Sequence, residues 1–318
     1  MRWLVTGGCG FIGRNLISRL LTQRGDQIRV FDDLSVGTRA DLLAATGGAA
    51  DRVELVTGDI RDEAAIVRAA AEMDVVIHLA ANTGVGPSVE DPRSDCLVNV
   101  IGTLNALEAC RARGVKRFVF ASSGAPVGES EPPIHEEQPP HPVSPYGASK
   151  LAGEAYCSAY KRSFGIDTVA LRFGNCFGPF SGHKGSIIAR FIREALSGKP
   201  WEIYGDGKQT RDFIYVEDVA EAICLAAKVA GIGGETFQIA TSSETTVAEV
   251  ADRLAAILAQ HGIRPGPARH ASPRIGDVRR NFSDTRKART RLGWAARVSL
   301  DSGLERTVRW FLARGRDA

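Results

Sequence analysis

The sequence has no uninterrupted apolar run near the ~18 residues that a membrane-spanning helix needs, which excludes a helical membrane protein. It has no C-x-x-C pair either. Its six cysteines, Cys9, Cys96, Cys110, Cys157, Cys176 and Cys224, are scattered, several of them inside apolar stretches. Such thiols suit a reduced interior rather than a disulfide framework. Residues Met1 to Gly13 are apolar but carry four glycines and lack the layout of a signal peptide, so a cytoplasmic protein is expected. Charge of one sign is also missing: 40 basic residues against 37 acidic ones give a net charge of +3, too near balance to imply a polyanion partner. No internal repeat or low-complexity segment occurs.

Two local patterns invite functions that their details exclude. In His135-Glu136-Glu137-Gln138-Pro139-Pro140-His141 the spacing is wrong for H-E-x-x-H, and two prolines forbid a helix, so no metal is assigned. Basic residues thicken from Arg269 to Arg291, but Asp277 and Asp284 interrupt them and only Phe282 offers an aromatic platform. A solvated face is expected there rather than a nucleic-acid surface.

What is present is a rhythm. Strand-like apolar runs at Trp3–Thr6, Ile28–Phe31, Val53–Val56, Val75–Leu79, Phe118–Ala121 and Thr168–Phe173 alternate with amphipathic stretches such as Ile12–Leu21 and Glu63–Ala71. Short runs separated by helix-length segments indicate βαβ units. Right-handed crossovers then give an α/β fold with a doubly wound parallel (Rossmann) sheet. After Gly174 the pattern loosens into what is expected to be a smaller C-terminal α/β substrate lobe. The expected division is a dinucleotide-binding domain at 1–174, to which the chain returns around 212–241, and a lobe made of 175–211 and 242–318.

The strand Trp3–Thr6 runs straight into Gly7-Gly8-Cys9-Gly10-Phe11-Ile12-Gly13 and then a helix. Gly7 permits the tight turn, Gly10 lets the backbone approach a pyrophosphate, and Gly13 lets the helix pack closely on the strand. The helix N-terminus supplies free N–H groups and partial positive charge for phosphates. Asp32 ends the second strand, about 20 residues further on, where an acid grips ribose hydroxyls. Asp32-Asp33 would repel a 2′-phosphate, so NAD is expected over NADP.

Ser144-Pro145-Tyr146-Gly147-Ala148-Ser149-Lys150 opens a long helical pattern, with Ser144 suited to the N-cap and Pro145 to the first turn. Tyr146 and Lys150, four apart, share a helix face. A free phenol has a pKa near 10, so bringing it to 7 takes about 4 kcal/mol of electrostatic help. An ammonium group and a nicotinium ring can supply that. Phe118-Val119-Phe120-Ala121-Ser122-Ser123 places two hydroxyls at the carboxyl end of a central strand, the edge where ligands sit in such sheets.

Together these motifs resemble the extended short-chain dehydrogenase/reductase family, in its NAD-dependent epimerase/dehydratase group, and within it most closely the UDP-glucose 4-epimerase branch. The resemblance covers nearly the whole chain. It rests on Thr6 to Gly13, Asp32-Asp33-Leu34-Ser35, His78-Leu79-Ala80-Ala81, Asn99, Ser122-Ser123 and Tyr146-x-x-x-Lys150. It implies Ser123, Tyr146 and Lys150 as the catalytic set. It implies a cofactor site of Gly7, Gly10, Phe11, Ile12, Gly13, Asp32, Asp33, Leu34, Gly37, Asp59, Ile60, Leu79, Ala80, Ala81, Asn99, Ser122, Tyr146, Lys150 and Phe173. For a UDP-sugar it implies Ser123, Tyr146, Asn175, Ile187, Ile188, Trp201, Glu202, Tyr204, Arg211, Arg274, Asp277 and Asn281. Arg211 and Arg274 would grip the diphosphate, and Asn281 would gate the sugar pocket. His78 is expected to be structural.

Two departures stand out: the loop Gly124-Ala125-Pro126-Val127-Gly128 lacks the family's usual aromatic, and Thr83 stands where a lysine often meets cofactor phosphate. The implied reaction is NAD-dependent 4-epimerisation of a UDP-hexose through a transient 4-keto sugar. Its rivals are a 4,6-dehydratase or decarboxylase of the same family, or a non-catalytic dinucleotide-sensing regulator. In the dehydratases an Asp-Glu pair follows the catalytic Ser/Thr, whereas here Gly124 and Ala125 do. The resemblance also implies a homodimer, paired through the helical patterns Leu97–Leu107 and Tyr146–Phe164.

Overall fold

The computed structural model describes residues 1–23, 25–272 and 278–314. A seven-stranded parallel sheet forms its centre. Six strands come from the first 173 residues: β1 (Arg2–Thr6), β2 (Gln27–Asp32), β3 (Val53–Thr57), β4 (Val75–His78), β5 (Arg117–Ser123) and β6 (Asp167–Phe173). The seventh, Glu235–Ile239, pairs with the outer side of β6. Across the sheet the order is Glu235–Ile239, β6, β5, β4, β1, β2, β3. Between β1 and β4 the crossovers change direction, which opens a crevice at the carboxyl ends of the strands.

Strand periodicity sorts the core into two layers. Trp3, Val5, Val30, Ile77, Val119 and Leu171 pack under the helices Phe11–Leu21 (α1) and Val216–Lys228. Their neighbours Leu4, Phe31, Val76, Phe118 and Ala170 pack under Glu63–Ala69, Gly102–Arg113 and Pro145–Phe164. Because both faces are covered, the strands are apolar throughout rather than alternating.

The smaller lobe combines the helices Ile187–Leu196, Val247–Gln260 and Leu300–Arg314 with the paired strands Pro200–Tyr204 and Gly266–Ala271. Its core includes Phe191, Trp201, Tyr215, Leu254 and Phe311. Ile188 and Trp201, expected to line a substrate, have their side chains in this core, 1% and 3% exposed. Trp201 stacks on Phe191 with ring centroids 4.8 Å apart and donates its indole N–H to the Phe191 carbonyl at 2.7 Å. A lobe this small has to spend its largest rings on its own interior, which leaves only the backbone of these two residues for a ligand. The end of the chain is also shared: Ala288, Leu292 and Trp294 pack into the larger domain's core, with Trp294 donating to the Asp218 carbonyl at 2.9 Å. No helix among the described residues is long and apolar enough to cross a membrane.

One ion pair is buried beneath the sheet's carboxyl edge. Glu154 accepts from Arg172 Nε at 2.9 Å and Nη2 at 2.7 Å, and from the Ser122 hydroxyl at 2.5 Å. Both side chains are more than nine-tenths buried, and Arg172 Nη1 has no hydrogen-bond partner among the described residues. Removing one member strands the other charge. Glu154→Ala is expected to lower stability by ~3–5 kcal/mol in urea unfolding, and the double substitution Glu154→Leu with Arg172→Met to recover much of that loss.

Candidate active site

The cofactor side is built from backbone. Gly7 takes φ +67°, and a Cβ there would lie 2.6 Å from the Ala80 nitrogen; a Cβ on Gly13 would lie 2.5 Å from Gly8 Cα. Only glycine permits the turn and the close packing of α1 on it. Gly10 is the N-cap of α1 and has no capping side chain, so the first N–H groups of the helix face the cleft without an intrahelical acceptor. Gly37 touches this turn from the loop after β2, since a Cβ on it would lie 2.0 Å from the Cys9 carbonyl oxygen. This glycine-lined cradle at a helix N-terminus fits a dinucleotide diphosphate.

Asp32, at the end of β2, is buried and accepts from the backbone N–H groups of Cys9 and Leu34, each at 2.9 Å. Burial raises its pKa, and these two hydrogen bonds oppose the rise. Asp33 is exposed and accepts from the Ser35 N–H and hydroxyl. Asp59 chelates the Arg61 guanidinium, and Ile60 is buried. Leu79, Ala80 and Ala81 follow β4 at the crevice, where the Leu79 N–H donates to the Thr6 carbonyl.

The catalytic side is built from register. Ser123 pairs across the sheet with Phe173, so the ends of β5 and β6 lie side by side. Helix Pro145–Phe164 starts beside them, capped by the Ser144 hydroxyl, which accepts from the Gly147 N–H at 3.1 Å. A Cβ on Gly147 would lie 2.6 Å from the Ala125 carbonyl oxygen, so the loop after β5 rests directly on the helix start. This brings Ser123, Tyr146 and Lys150 together. The Tyr146 phenol is pushed up to about 12 by burial; a hydrogen bond with the Ser123 side chain opposes the shift, and Asp95 adds to it. Lys150 is 4% exposed, its Nζ donates to the Ala121 carbonyl at 2.9 Å, and it lies 5.9 Å from the Tyr146 ring centre. Burial lowers its pKa to about 8, against the pull of Asp95 and Glu154. Lys150 is therefore mostly charged at neutral pH.

The two serines at the end of β5 part company. The Ser122 hydroxyl is buried on Glu154, which leaves only its backbone for the cofactor contact expected of it. Asn99 lies on a π-helical turn, Leu97–Ile101, a rare geometry that tends to mark functional sites. It accepts from the Asn82 N–H at 2.8 Å and donates to the Asn82 carbonyl, Asp95 and Ser149. His78 bridges the Thr6 and Thr103 hydroxyls, and burial, with Lys150 adding, lowers its pKa to about 3. It is neutral and structural.

On the lobe side, Asn175 is exposed beyond Phe173, and its N–H donates to the Asp212 carbonyl at 2.7 Å. Ile187 and Tyr204 are half-buried, with the Arg190 guanidinium 5.1 Å from the Tyr204 ring centre, and Glu202 is exposed. Arg211 Nη1 donates to the Thr210 and Val278 carbonyls. The Asn281 amide comes beside the loop after Ser123: its Nδ2 lies 3.8 Å from where a Cβ on Gly124 would stand. Arg274 and Asp277 lie outside the described residues.

The model of the NAD dependent epimerase/dehydratase family matches residues 3–240. The chain belongs to this family. It is 39% identical over 317 residues to a UDP-glucose 4-epimerase of Mycolicibacterium smegmatis, covering 98% of each chain. It is also 35% identical over 331 residues to a dTDP-glucose 4,6-dehydratase of Xanthomonas campestris, covering 98% of this chain and 93% of that one. Among solved structures, the UDP-glucose 4-epimerase of Thermotoga maritima with UDP-glucose superposes with a TM-score of 0.90 at 36% identity, covering 99% of each chain. The protein is thus an NAD-dependent enzyme of the nucleotide-sugar epimerase/dehydratase family.

Sequence reasoning missed Asp95, Glu154, Arg172 and Asp212. Asp212 is 1% exposed and accepts from the Thr241 N–H and hydroxyl and from the Ser283 N–H, tying the segment just after Glu235–Ile239 to Ser283. Glu154 alone carried a local signal, because it continues the four-residue spacing of Tyr146 and Lys150 on one helix face.

Two outcomes follow from this geometry. Tyr146→Phe should cut turnover roughly 10²–10⁴-fold in steady-state assays while barely changing sugar-nucleotide affinity. A lysine whose folded pKa (about 8) lies below its ordinary 10.5 opposes folding while charged, and that penalty fades as pH rises between the two values. The stability of wild type relative to Lys150→Met should therefore climb by on the order of 3 kcal/mol from pH 8 to pH 10.5 in denaturant titrations.

Proposed function

We propose that the chain is a UDP-hexose 4-epimerase. The observation that carries this reading is the surroundings of Ser123. It is followed by Gly124 and Ala125, neither of which can move a proton. The next acids, Glu129 and Glu131, are exposed, and Glu131 pairs with Arg280 at 3.1 Å. Eliminating water across C5 and C6 of a sugar needs an acid and a base beyond the hydroxyl–tyrosine pair. Here Tyr146 has no such helper in the loop. Support also comes from the epimerase relatives at 39% and 36% identity.

NAD, when bound, accepts the C4 hydride and later returns it. The residues of the chain do the rest. Ser123 donates to the 4-oxygen and orients it. Tyr146 takes the 4-hydroxyl proton, helped by the positive charge of Lys150, and gives it back when the keto sugar has turned over to present its other face. Asn175, Ile187, Tyr204, Arg211 and Asn281 hold the nucleotide sugar, with the backbones of Ile188, Trp201 and Glu202 beside them, and Arg274 and Asp277 complete the grip by resemblance. The intermediate bulk of Asn281 suits both plain and N-acetylated sugars. At the dinucleotide, Asp32 faces the adenosine ribose and disfavours a 2′-phosphate.

The working unit in this reading is a homodimer. Leu97, Ile101, Tyr156 and Phe164 are exposed apolar side chains between 36% and 50% accessible, on the helices expected to pair. Light scattering at micromolar concentration should give twice the mass of one chain, and Leu97→Asp with Phe164→Asp should return it to one; a monomeric wild type refutes the dimer. The reaction is tested by incubating UDP-glucose, UDP-N-acetylglucosamine and dTDP-glucose with enzyme and NAD. Chromatography should resolve a C4 epimer of unchanged mass. Catalytic loss of 18 mass units from any of them would replace the epimerase by a dehydratase.

A further inference from the structure

Away from Tyr146, the molecule holds a second partly buried ammonium, and among the described residues no acid lies against it. Lys184 lies in the loop between Phe177 and Ile187, where its Nζ donates to the Thr83 hydroxyl at 3.3 Å. Burial lowers its pKa, and among the described residues the group pulling the other way is the Cys176 thiol. Its surroundings are basic: the His183 pKa is lowered to about 4 by burial first, then by Lys184, Arg14 and Arg193, with Asp41 opposing. Withdrawing a cation from water without a counter-charge is unfavourable, so a lysine that meets a hydroxyl and no acid among the described residues suits an anion that arrives later.

The loop is fixed in place by the dinucleotide half of the molecule. Arg14 Nη2 donates to the Phe180 carbonyl at 2.9 Å, and Asn15 Nδ2 donates to the Pro179 carbonyl at 3.0 Å. Both donors are on α1, just past the glycine turn. Within the loop, the buried Ser181 hydroxyl donates to the Gly178 carbonyl at 2.6 Å, and the Lys184 N–H donates to the Ser181 carbonyl at 2.9 Å. These bonds hold Phe180 at φ +65°, a conformation unusual for a large side chain. On its other side Lys184 rests on Thr83, three residues past Ala80, whose nitrogen abuts Gly7. The ammonium therefore sits between the two segments that flank the helix N-terminus.

We propose that Lys184 is a cofactor-binding residue whose ammonium reaches across from the sugar lobe to neutralise the NAD diphosphate. The same loop leads into helix Ile187–Leu196, so the charge that completes the dinucleotide site is carried by the element that borders the sugar. The test is calorimetry of NAD, ADP, adenosine and UDP with wild type, Lys184→Met and Lys184→Arg, together with thermal unfolding of each protein without added nucleotide. In Lys184→Met the affinities for NAD and ADP should fall roughly ten-fold or more, while adenosine and UDP stay within about two-fold. Lys184→Arg should retain most of the NAD affinity, and Lys184→Met should melt no lower than wild type without nucleotide. Unchanged NAD affinity overturns the proposal. So does weakened UDP binding with NAD intact, which assigns the ammonium to the sugar nucleotide. Equal loss of adenosine, or a lower melting temperature without nucleotide, overturns it in favour of a loop brace.

Discussion

Much of this active site is arranged around the need to keep one ammonium charged where the protein has removed its water. Burial alone pulls Lys150 down to about 8, and the residues around it oppose that pull by different means. The Ala121 carbonyl takes a hydrogen bond, and Asp95 and Glu154 supply opposite charge. Yet neither acid closes on the lysine as a simple ion pair. Glu154 is held by Arg172 and Ser122, and Asp95 is engaged by Asn99. Acids restrained in this way favour the charged lysine by their field and leave its nitrogen on the Tyr146 side. His78, stacked on Phe118 and Phe120, stays neutral and adds no competing cation.

The parts of this arrangement that obey a local period could be found in the sequence. Strand runs, the glycine turn and the four-residue step from Tyr146 to Lys150 each follow from the geometry of one element, and β1 to β6 fall within one or two residues of where the apolar runs begin and end. The same step extends to Glu154. Asp95 has no such period. It lies on a short helix, Pro92–Cys96, that only a π-helical turn and the packing of Pro145–Phe164 bring under Lys150. A one-residue slip of that turn would rotate Asn99 away from Asn82, and nothing in the composition of Leu97-Val98-Asn99-Val100-Ile101 signals it.

The smaller lobe was less legible because its side chains answer to two demands at once. Trp201 has the composition of a base-stacking residue, but a lobe of three helices and short strand pairs needs a large buried ring more than it needs a ligand contact. Its helices also meet the larger domain. Trp294 anchors the end of the chain into that core, and Asp212 clamps Thr241 to Ser283. The two halves are therefore less separable than the change of rhythm after Gly174 implies. A motion of the lobe would be transmitted to the ends of β6 and Glu235–Ile239 through Gly174, whose N–H donates to the Ile239 carbonyl.

The glycines themselves separate what folding requires from what chemistry requires. At Gly7, Gly13 and Gly147 a single added carbon would strike backbone at 2.5–2.6 Å, so packing alone accounts for them. Gly124 is different. Its φ lies outside the left-handed region, and the nearest atom to an added Cβ is the Asn281 amide at 3.8 Å, ordinary contact distance. The fold would admit a larger residue there, directly after Ser123 and beside Asn281. A carboxylate at this point would stand one residue from Ser123 and offer a second proton-transfer group. Under the proposed epimerase reading its absence has a chemical sense, since no steric or backbone demand excludes it: a site that only moves a hydride off C4 and back is served by one phenol, and a second acid or base would open the way to elimination.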